Sequence, residues 1–309
     1  MSGPQCCSNP PTLDPASGAG HVDNLAGFNT YVSGSLQSKL VLLLVSDIKL
    51  ADKVAAAGFY VVVPDFFFGD PYVSDKPDRP MSVWIKDHAP AKSFQDAKLI
   101  IDALKSKGAS SIGAAGFCWG AKVVVELSKV ALIQAAVMLH PSFVTVDDIK
   151  GVKVPIAILG GEFDNVSPPE LIKQFDEILK ASKVDSFVKI FPNCGHGWTV
   201  RYNVNDPTAV ACADEAHKDM LEWFAKYVKT RISTAPGGNR VLELDQGSRF
   251  TAEKLILRID QNLRSTSFDP IQQLSPPPAT VQHRRQEIAT NTAGVAFGSA
   301  MRSVVLQCP

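Results

Sequence analysis

A net charge is missing from this chain. Its 31 Lys and Arg offset 31 Asp and Glu over 309 residues, which leaves no basic field to draw in nucleic acid or an anionic membrane. Long apolar runs are missing too: the longest aliphatic stretch, residues 40–45, falls far short of the roughly 20 residues a bilayer span needs. The first 20 residues are polar and rich in Pro, Ser and Gly, without the apolar segment of a secretory signal. Cysteine is scarce, and Cys6, Cys7, Cys118, Cys194, Cys212 and Cys308 show no framework spacing. These absences point to a soluble, cytoplasmic protein with reduced thiols. Arginine is the last shortage. Residues 1–229 hold 20 Lys but only two Arg, Arg79 and Arg201, whereas residues 230–309 hold eight Arg and one Lys. A guanidinium grips a planar anion through two parallel hydrogen bonds that an ammonium cannot reproduce. Those two arginines are therefore candidates for a specific task, with ordinary surface charge as the plain alternative.

What is present reads as alternating strands and helices. Residues 27–33 alternate as an edge strand, and 39–46 and 59–63 are unbroken apolar runs suited to buried strands. Residues 110–115, 132–139, 154–159 and 186–191 add four more. Helical patterns fill 50–57, 94–107, 121–127, 168–182 and 207–228, with Gly58 and Gly108 as stops. Residues 65–90, with aromatics, prolines and Arg79, form a long excursion that could line a site. This predicts an α/β fold, a mostly parallel sheet with helices on both faces. Three parts follow: a flexible N-terminal segment 1–26, a domain over 27–229, and an Arg-rich tail 230–309. The tail offers one amphipathic helix at 250–263 but too few apolar residues for a core, so it reads as largely disordered.

The chain is organised around Gly116-Phe117-Cys118-Trp119-Gly120, set between an apolar strand and a helix start. A strand that turns at once into a helix, with glycines two before and two after a nucleophile, is a nucleophile elbow. The turn lifts the sulfur clear of the sheet beside a helix N-terminus, which favours thiolate. The backbone N–H of Trp119 then points where an oxyanion forms. Two later loops, each just after a strand, complete a constellation. Asp164 lies in Gly160-Gly161-Glu162-Phe163-Asp164, and His196 in Asn193-Cys194-Gly195-His196-Gly197-Trp198. The order nucleophile, acid, histidine is that of α/β-hydrolases. His196 would take the Cys118 proton and later activate water, while Asp164 orients the imidazole. Glu162 is the rival acid, and His140 reads as structural. Zinc on Cys194, His196, Cys212 and His217 is the disfavoured alternative, because Cys212 and His217 fall on different faces of one helix and His196 has a better role. A paired-carboxylate glycosidase finds no two acids singled out.

These motifs resemble the dienelactone hydrolase family, the carboxymethylenebutenolidase-like enzymes, over about residues 1–230. They are closest to plant members, some of which carry an endo-1,3;1,4-β-D-glucanase name. The resemblance implies an α/β-hydrolase fold and a Cys118–Asp164–His196 triad acting on a small, anionic ester or lactone through an acyl-thioester. Such hydrolysis needs no cofactor and no metal, the balanced charge points to no nucleic acid or membrane partner, and the chain reads as a monomer acting on a small molecule. The resemblance also assigns substrate carboxylate binding to Arg201 and Arg79, with Trp198 among the substrate-binding residues; Asp47 matches an acidic, substrate-site residue that contacts the nucleophilic cysteine, and Ile48 a second oxyanion donor. One departure stands out. After the strand 40–46 roughly ten residues are missing from the loop that supplies that donor, and losing one donor costs on the order of 100- to 1000-fold in rate. Two further readings follow: an impaired relative that only binds a small anion, and a β-glucan hydrolase.

Overall fold

Six consecutive aliphatic residues, Leu40–Val45, make one strand, and apolar side chains on both its faces suit a strand that helices cover on both sides. A computed structural model describes residues 20–73 and 78–230. The remainder of the N-terminal segment, residues 1–19, part of the 65–90 excursion, 74–77, and the tail 231–309 with its 250–263 helix lie outside the described residues.

The eight strands are β1 (His21–Leu25), β2 (Phe28–Ser33), β3 (Leu40–Val45), β4 (Tyr60–Pro64), β5 (Ser111–Phe117), β6 (Ala135–Leu139), β7 (Ile156–Phe163) and β8 (Ser186–Gly195). They form one sheet in the order β1-β2-β4-β3-β5-β6-β7-β8. The pairs β1–β2 and β2–β4 are antiparallel, and every pair from β4 to β8 is parallel. The helices are α1 (Ala51–Ala56), α2 (Met81–Asp87), α3 (Pro90–Ser106), α4 (Trp119–Lys129), α5 (Val146–Lys150), α6 (Pro169–Ala181) and α7 (Pro207–Tyr227).

β5 shows how both faces are covered. A side chain at Gly113 would reach within 2.8 Å of the Phe224 ring of α7, whereas one at Gly116 would meet the Gly120 backbone of α4. An odd separation along a strand puts the two positions on opposite faces. Helix α4 also packs against α3 and α5, and α5 against α6. On the other face Lys53 of α1 ties to Asp214 of α7 at 2.6 Å. Among the described residues no helix is long and apolar enough to cross a membrane.

Four details depart from the sequence reading. The strand at 27–33 is not the edge: His21–Leu25, assigned to the flexible segment 1–26, pairs outside it as β1. Only Leu25 of β1 is buried, so that strand carries no apolar alternation to detect. The excursion 65–90 contains α2, and the 140–153 connection contains α5, opened by a Thr145–Asp148 capping box. The link after β3, expected to run into its helix without a turn, does turn. Ser46 takes φ +78°, and Asp47 Oδ1 accepts the Lys49 N–H at 2.8 Å before α1 begins. Finally, Cys194 and Cys212 are joined as a disulfide, against the reading of unpaired cysteines; the two lie 18 apart, too far for sequence proximity to signal pairing.

Candidate active site

Four neighbouring parallel strands end on one edge of the sheet, and each hands one side chain to the same place. Behind β5 comes Cys118, behind β6 Ser142, after β7 Asp164 and after β8 His196. Loops at the carboxyl ends of parallel strands are where α/β proteins build sites.

Cys118 sits at φ 48°, ψ −112°, a conformation an L-residue rarely adopts. Its N–H donates to the Leu139 carbonyl at 3.1 Å, and its own carbonyl accepts from Ala121 and from Ser142. The elbow glycines are needed for space. A Cβ at Gly116 would lie 2.5 Å from the Gly120 carbonyl carbon, and one at Gly120 would lie 2.8 Å from that of Val45. Trp119 is the first residue of α4, a position whose N–H has no acceptor inside the helix. Its indole is fully buried, donates to the His88 carbonyl at 3.0 Å and meets Phe67 edge-on.

The Cys118 Sγ lies 3.1 Å from Ser142 Oγ, and Ser142 Oγ lies 3.5 Å from His196 Nε2. On the far side of the ring, His196 Nδ1 lies 2.7 Å from Asp164 Oδ2. The other carboxylate oxygen accepts the N–H groups of Val166 at 2.8 Å and Ser167 at 3.0 Å. Burial alone would raise the Asp164 carboxyl. The bond and charge of His196, with those two N–H groups, outweigh it and hold the carboxyl below its usual range. The acid on the histidine is thus Asp164. Glu162 is exposed and accepts from the Asn193 N–H at 2.8 Å.

The histidine loop is braced from three sides. His140 packs edge-on against His196, its Nε2 lies 2.8 Å from Thr199 Oγ1, and Trp198 backs it at 5.4 Å. His217 Nε2 donates to the Thr199 carbonyl at 2.7 Å, so its Nδ1 is the acceptor for Lys53 Nζ at 2.9 Å. The disulfide ties Cys194, two residues before His196, to α7. With Cys194 and Cys212 bonded to each other and His217 engaged in this way, the zinc set dissolves.

Arg201 is mostly buried, and its N–H donates to the Gly197 carbonyl at 2.9 Å. Lys49 stands beside it, with its ammonium 3.1 Å from the Val200 carbonyl. Burial depresses the Lys49 ammonium below its ordinary range, Asp47 opposes this, and Arg201 adds to it. Ile48, the expected second oxyanion donor, lies in the same link, and its carbonyl accepts from Ala51 at 3.1 Å. Arg79 is not drawn into this group. Its guanidinium pairs with Asp70 at 2.6 Å and Asp87 at 3.3 Å, beside a cavity of about 330 Å³ lined by Phe66, Phe68, His88 and Lys92. Ser142 and Lys49 escaped the sequence reading, and His217 entered it only as a zinc candidate. Only Ser142 carried a signal, its place directly behind a buried strand neighbouring the elbow.

The dienelactone hydrolase family model matches residues 43–228, more than half of the chain. The chain belongs to the dienelactone hydrolase family. A Zea mays relative named endo-1,3;1,4-beta-D-glucanase is 39% identical over 191 residues, 57% of this chain and 62% of the maize protein. A carboxymethylenebutenolidase homolog of Xenopus tropicalis is 32% identical over 184 residues, 58% of this chain and 75% of that one. Among solved structures, a dienelactone hydrolase-like promiscuous phosphotriesterase from metagenomic libraries aligns with a TM-score of 0.52. It is 21% identical, covering 67% of this chain and 97% of its own, a likeness of fold.

Proposed function

We propose that this dienelactone hydrolase family member cleaves a small anionic ester or lactone through an acyl-thioester on Cys118. The observation that carries this is the buried line Cys118–Ser142–His196–Asp164, spaced at 3.1, 3.5 and 2.7 Å. Asp164 fixes the hydrogen of His196 on Nδ1, which leaves Nε2 unprotonated and facing the thiol side. The Cys118 proton passes to the imidazole and the thiolate attacks the carbonyl carbon. The oxyanion that forms is met by the Trp119 N–H, with Ile48 as the second donor. The imidazolium then protonates the leaving alkoxide, and in the second half His196 takes a proton from the water that frees the acid. Nothing but water is consumed. The paired cations Arg201 and Lys49 favour an acyl group carrying a negative charge near the reacting carbonyl, with Asp47 and Trp198 as neighbours. We place the enzyme in the cytoplasm as a monomer, with a small molecule as its partner.

The maize relative's name favours a second reading, β-glucan hydrolysis. A cysteine–histidine centre suits activated esters and lactones, whereas glycosidic bonds call for two opposed carboxyl groups. Steady-state hydrolysis of an activated aryl ester, with wild type beside Cys118→Ala and His196→Ala, tests the first reading. Turnover lost in both variants is expected. A folded wild type as slow as its variants points instead to the impaired, anion-binding relative. Reducing-sugar release from mixed-linkage glucan that survives Cys118→Ala supports the glucanase.

A further inference from the structure

Ser142 stands between the two groups that must exchange a proton. It is buried, and its hydroxyl lies 3.1 Å from the Cys118 sulfur and 3.5 Å from His196 Nε2. Its backbone is fixed on the same frame. The Ser142 N–H donates to the Cys118 carbonyl at 2.9 Å, so the serine moves with the elbow. One residue earlier the Pro141 carbonyl accepts from Ser167 Oγ at 2.5 Å, and the Ser167 N–H holds Asp164. The His140 N–H donates to the Leu159 carbonyl at 2.8 Å. Residues 140–142 are thus clamped to both the nucleophile and the acid.

A hydroxyl has one hydrogen to give and two lone pairs to receive. Facing a thiol on one side and an unprotonated ring nitrogen on the other, it can do both at once. We infer that Ser142 relays the Cys118 proton to His196, a step that rests on the proposed thioester chemistry. The S–H bond breaks as a new O–H bond forms on Ser142, and the old Ser142 O–H bond breaks as an N–H bond forms on Nε2. The electron pair of the S–H bond stays on sulfur. Thiolate and imidazolium result, serine is regenerated, and the charged ring faces Asp164. The second leg is long for an O–H···N bond, and such catalytic contacts close when substrate is bound. Ser142 is not a second nucleophile, because it is Cys118, and not Ser142, that caps the N-terminus of α4.

The test is alkylation of Cys118 by iodoacetamide across pH, read by mass spectrometry of the Cys118 peptide so that other thiols do not contribute. Wild type, Ser142→Ala, Ser142→Thr and His196→Ala are compared, with circular dichroism melts confirming the fold. After the relay the regenerated Ser142 hydroxyl donates to the thiolate and accepts from the imidazolium, so it stabilises the pair it creates; near pH 6 Ser142→Ala and His196→Ala should therefore react about tenfold more slowly than wild type, whereas near pH 9, above an ordinary thiol's pKa, all four converge. Ser142→Thr, which keeps the hydroxyl, stays within about threefold of wild type. Ser142→Ala matching wild type near pH 6 while His196→Ala is slow overturns the relay and leaves the cysteine–histidine pair standing. Ser142→Ala slowed equally at every pH, or Ser142→Thr behaving as Ala does, also overturns it. A wild type already as slow as His196→Ala removes the thiolate–imidazolium pair itself, and the relay with it.

Discussion

Replacing Asp164 by Asn probes the proposed chemistry while leaving the loop almost untouched. Asp164 is 1% exposed, with one oxygen 2.7 Å from His196 Nδ1 and the other accepting from Val166 and Ser167. Asparagine has the same shape. Its Oδ1 keeps both backbone bonds, so the amide nitrogen falls opposite Nδ1 and presents a donor where there was an acceptor. The ring must then carry its hydrogen on Nε2, facing Ser142 and Cys118, and can no longer take a proton from that side. The corresponding change in a serine protease costs about 10⁴-fold. We expect kcat/KM to fall about 10³- to 10⁴-fold, or ~4–5.5 kcal/mol of transition-state stabilisation. Initial rates on an activated aryl ester, beside a urea unfolding curve, make the measurement. A folded Asp164→Asn enzyme keeping more than about a tenth of wild-type kcat/KM refutes the role given to the carboxylate.

Three further outcomes are open to direct test. Gly120→Ala pushes a methyl into the Val45 carbonyl group and within 2.9 Å of Ser46 Oγ, so the elbow or β3 must shift; we expect a loss of about 3 kcal/mol or more in urea unfolding, and a variant within about 0.5 kcal/mol of wild type refutes the steric account. Stability should fall with acid in two windows, followed by melts from pH 8 to 2. Burial holds His217 below its usual range, helped by Lys53, so its share is complete above an unfolded histidine's pKa and starts to drain as pH drops below about 6.5. Asp214, held down to about 2 by the neighbouring His217 against the opposing effect of burial, with its 2.6 Å bond to Lys53 adding to this, loses its share only below about 4; His217→Gln should erase the first window, and its persistence contradicts the assignment. Arg201→Lys should raise KM about tenfold more for an anionic ester than for its neutral analogue, because the planar two-bond grip is lost; equal effects on both substrates refute anion recognition.

The parallel sheet and the elbow were legible because they rest on local patterns: unbroken aliphatic runs such as 40–45, and two glycines that only close backbone packing demands. The positions of Asp164 and His196 were legible for the same reason, each standing just past a recognisable strand. Edges and pairings were not. β1 has one buried residue and so no periodic signature, and α5 is a single capped turn. The Cys194–Cys212 bond and the Lys53–His217–Thr199 brace join residues far apart in sequence, on elements whose relative placement only the folded sheet determines. Composition made Arg79 and Arg201 equivalent, but the charges around them separate the two. Arg79 meets Asp70 and Asp87 away from the histidine loop, and Arg201 stands on that loop near Lys49. The turn at Ser46 shows how so short a link can still deliver Lys49 to the histidine loop. Its positive φ is the conformation that periodicity cannot announce.

The central claim is a covalent acyl group on Cys118, and rapid-quench mass spectrometry of the enzyme mixed with an activated aryl ester reads it directly. The account predicts a mass increase equal to the acyl group, mapped to the Cys118 peptide, formed within the burst and decaying at the steady-state rate. It predicts no such adduct on Cys118→Ala and a long-lived one where His196 is replaced and acylation is forced at high pH. Turnover with no adduct on Cys118, or an adduct that persists while product accumulates, contradicts it.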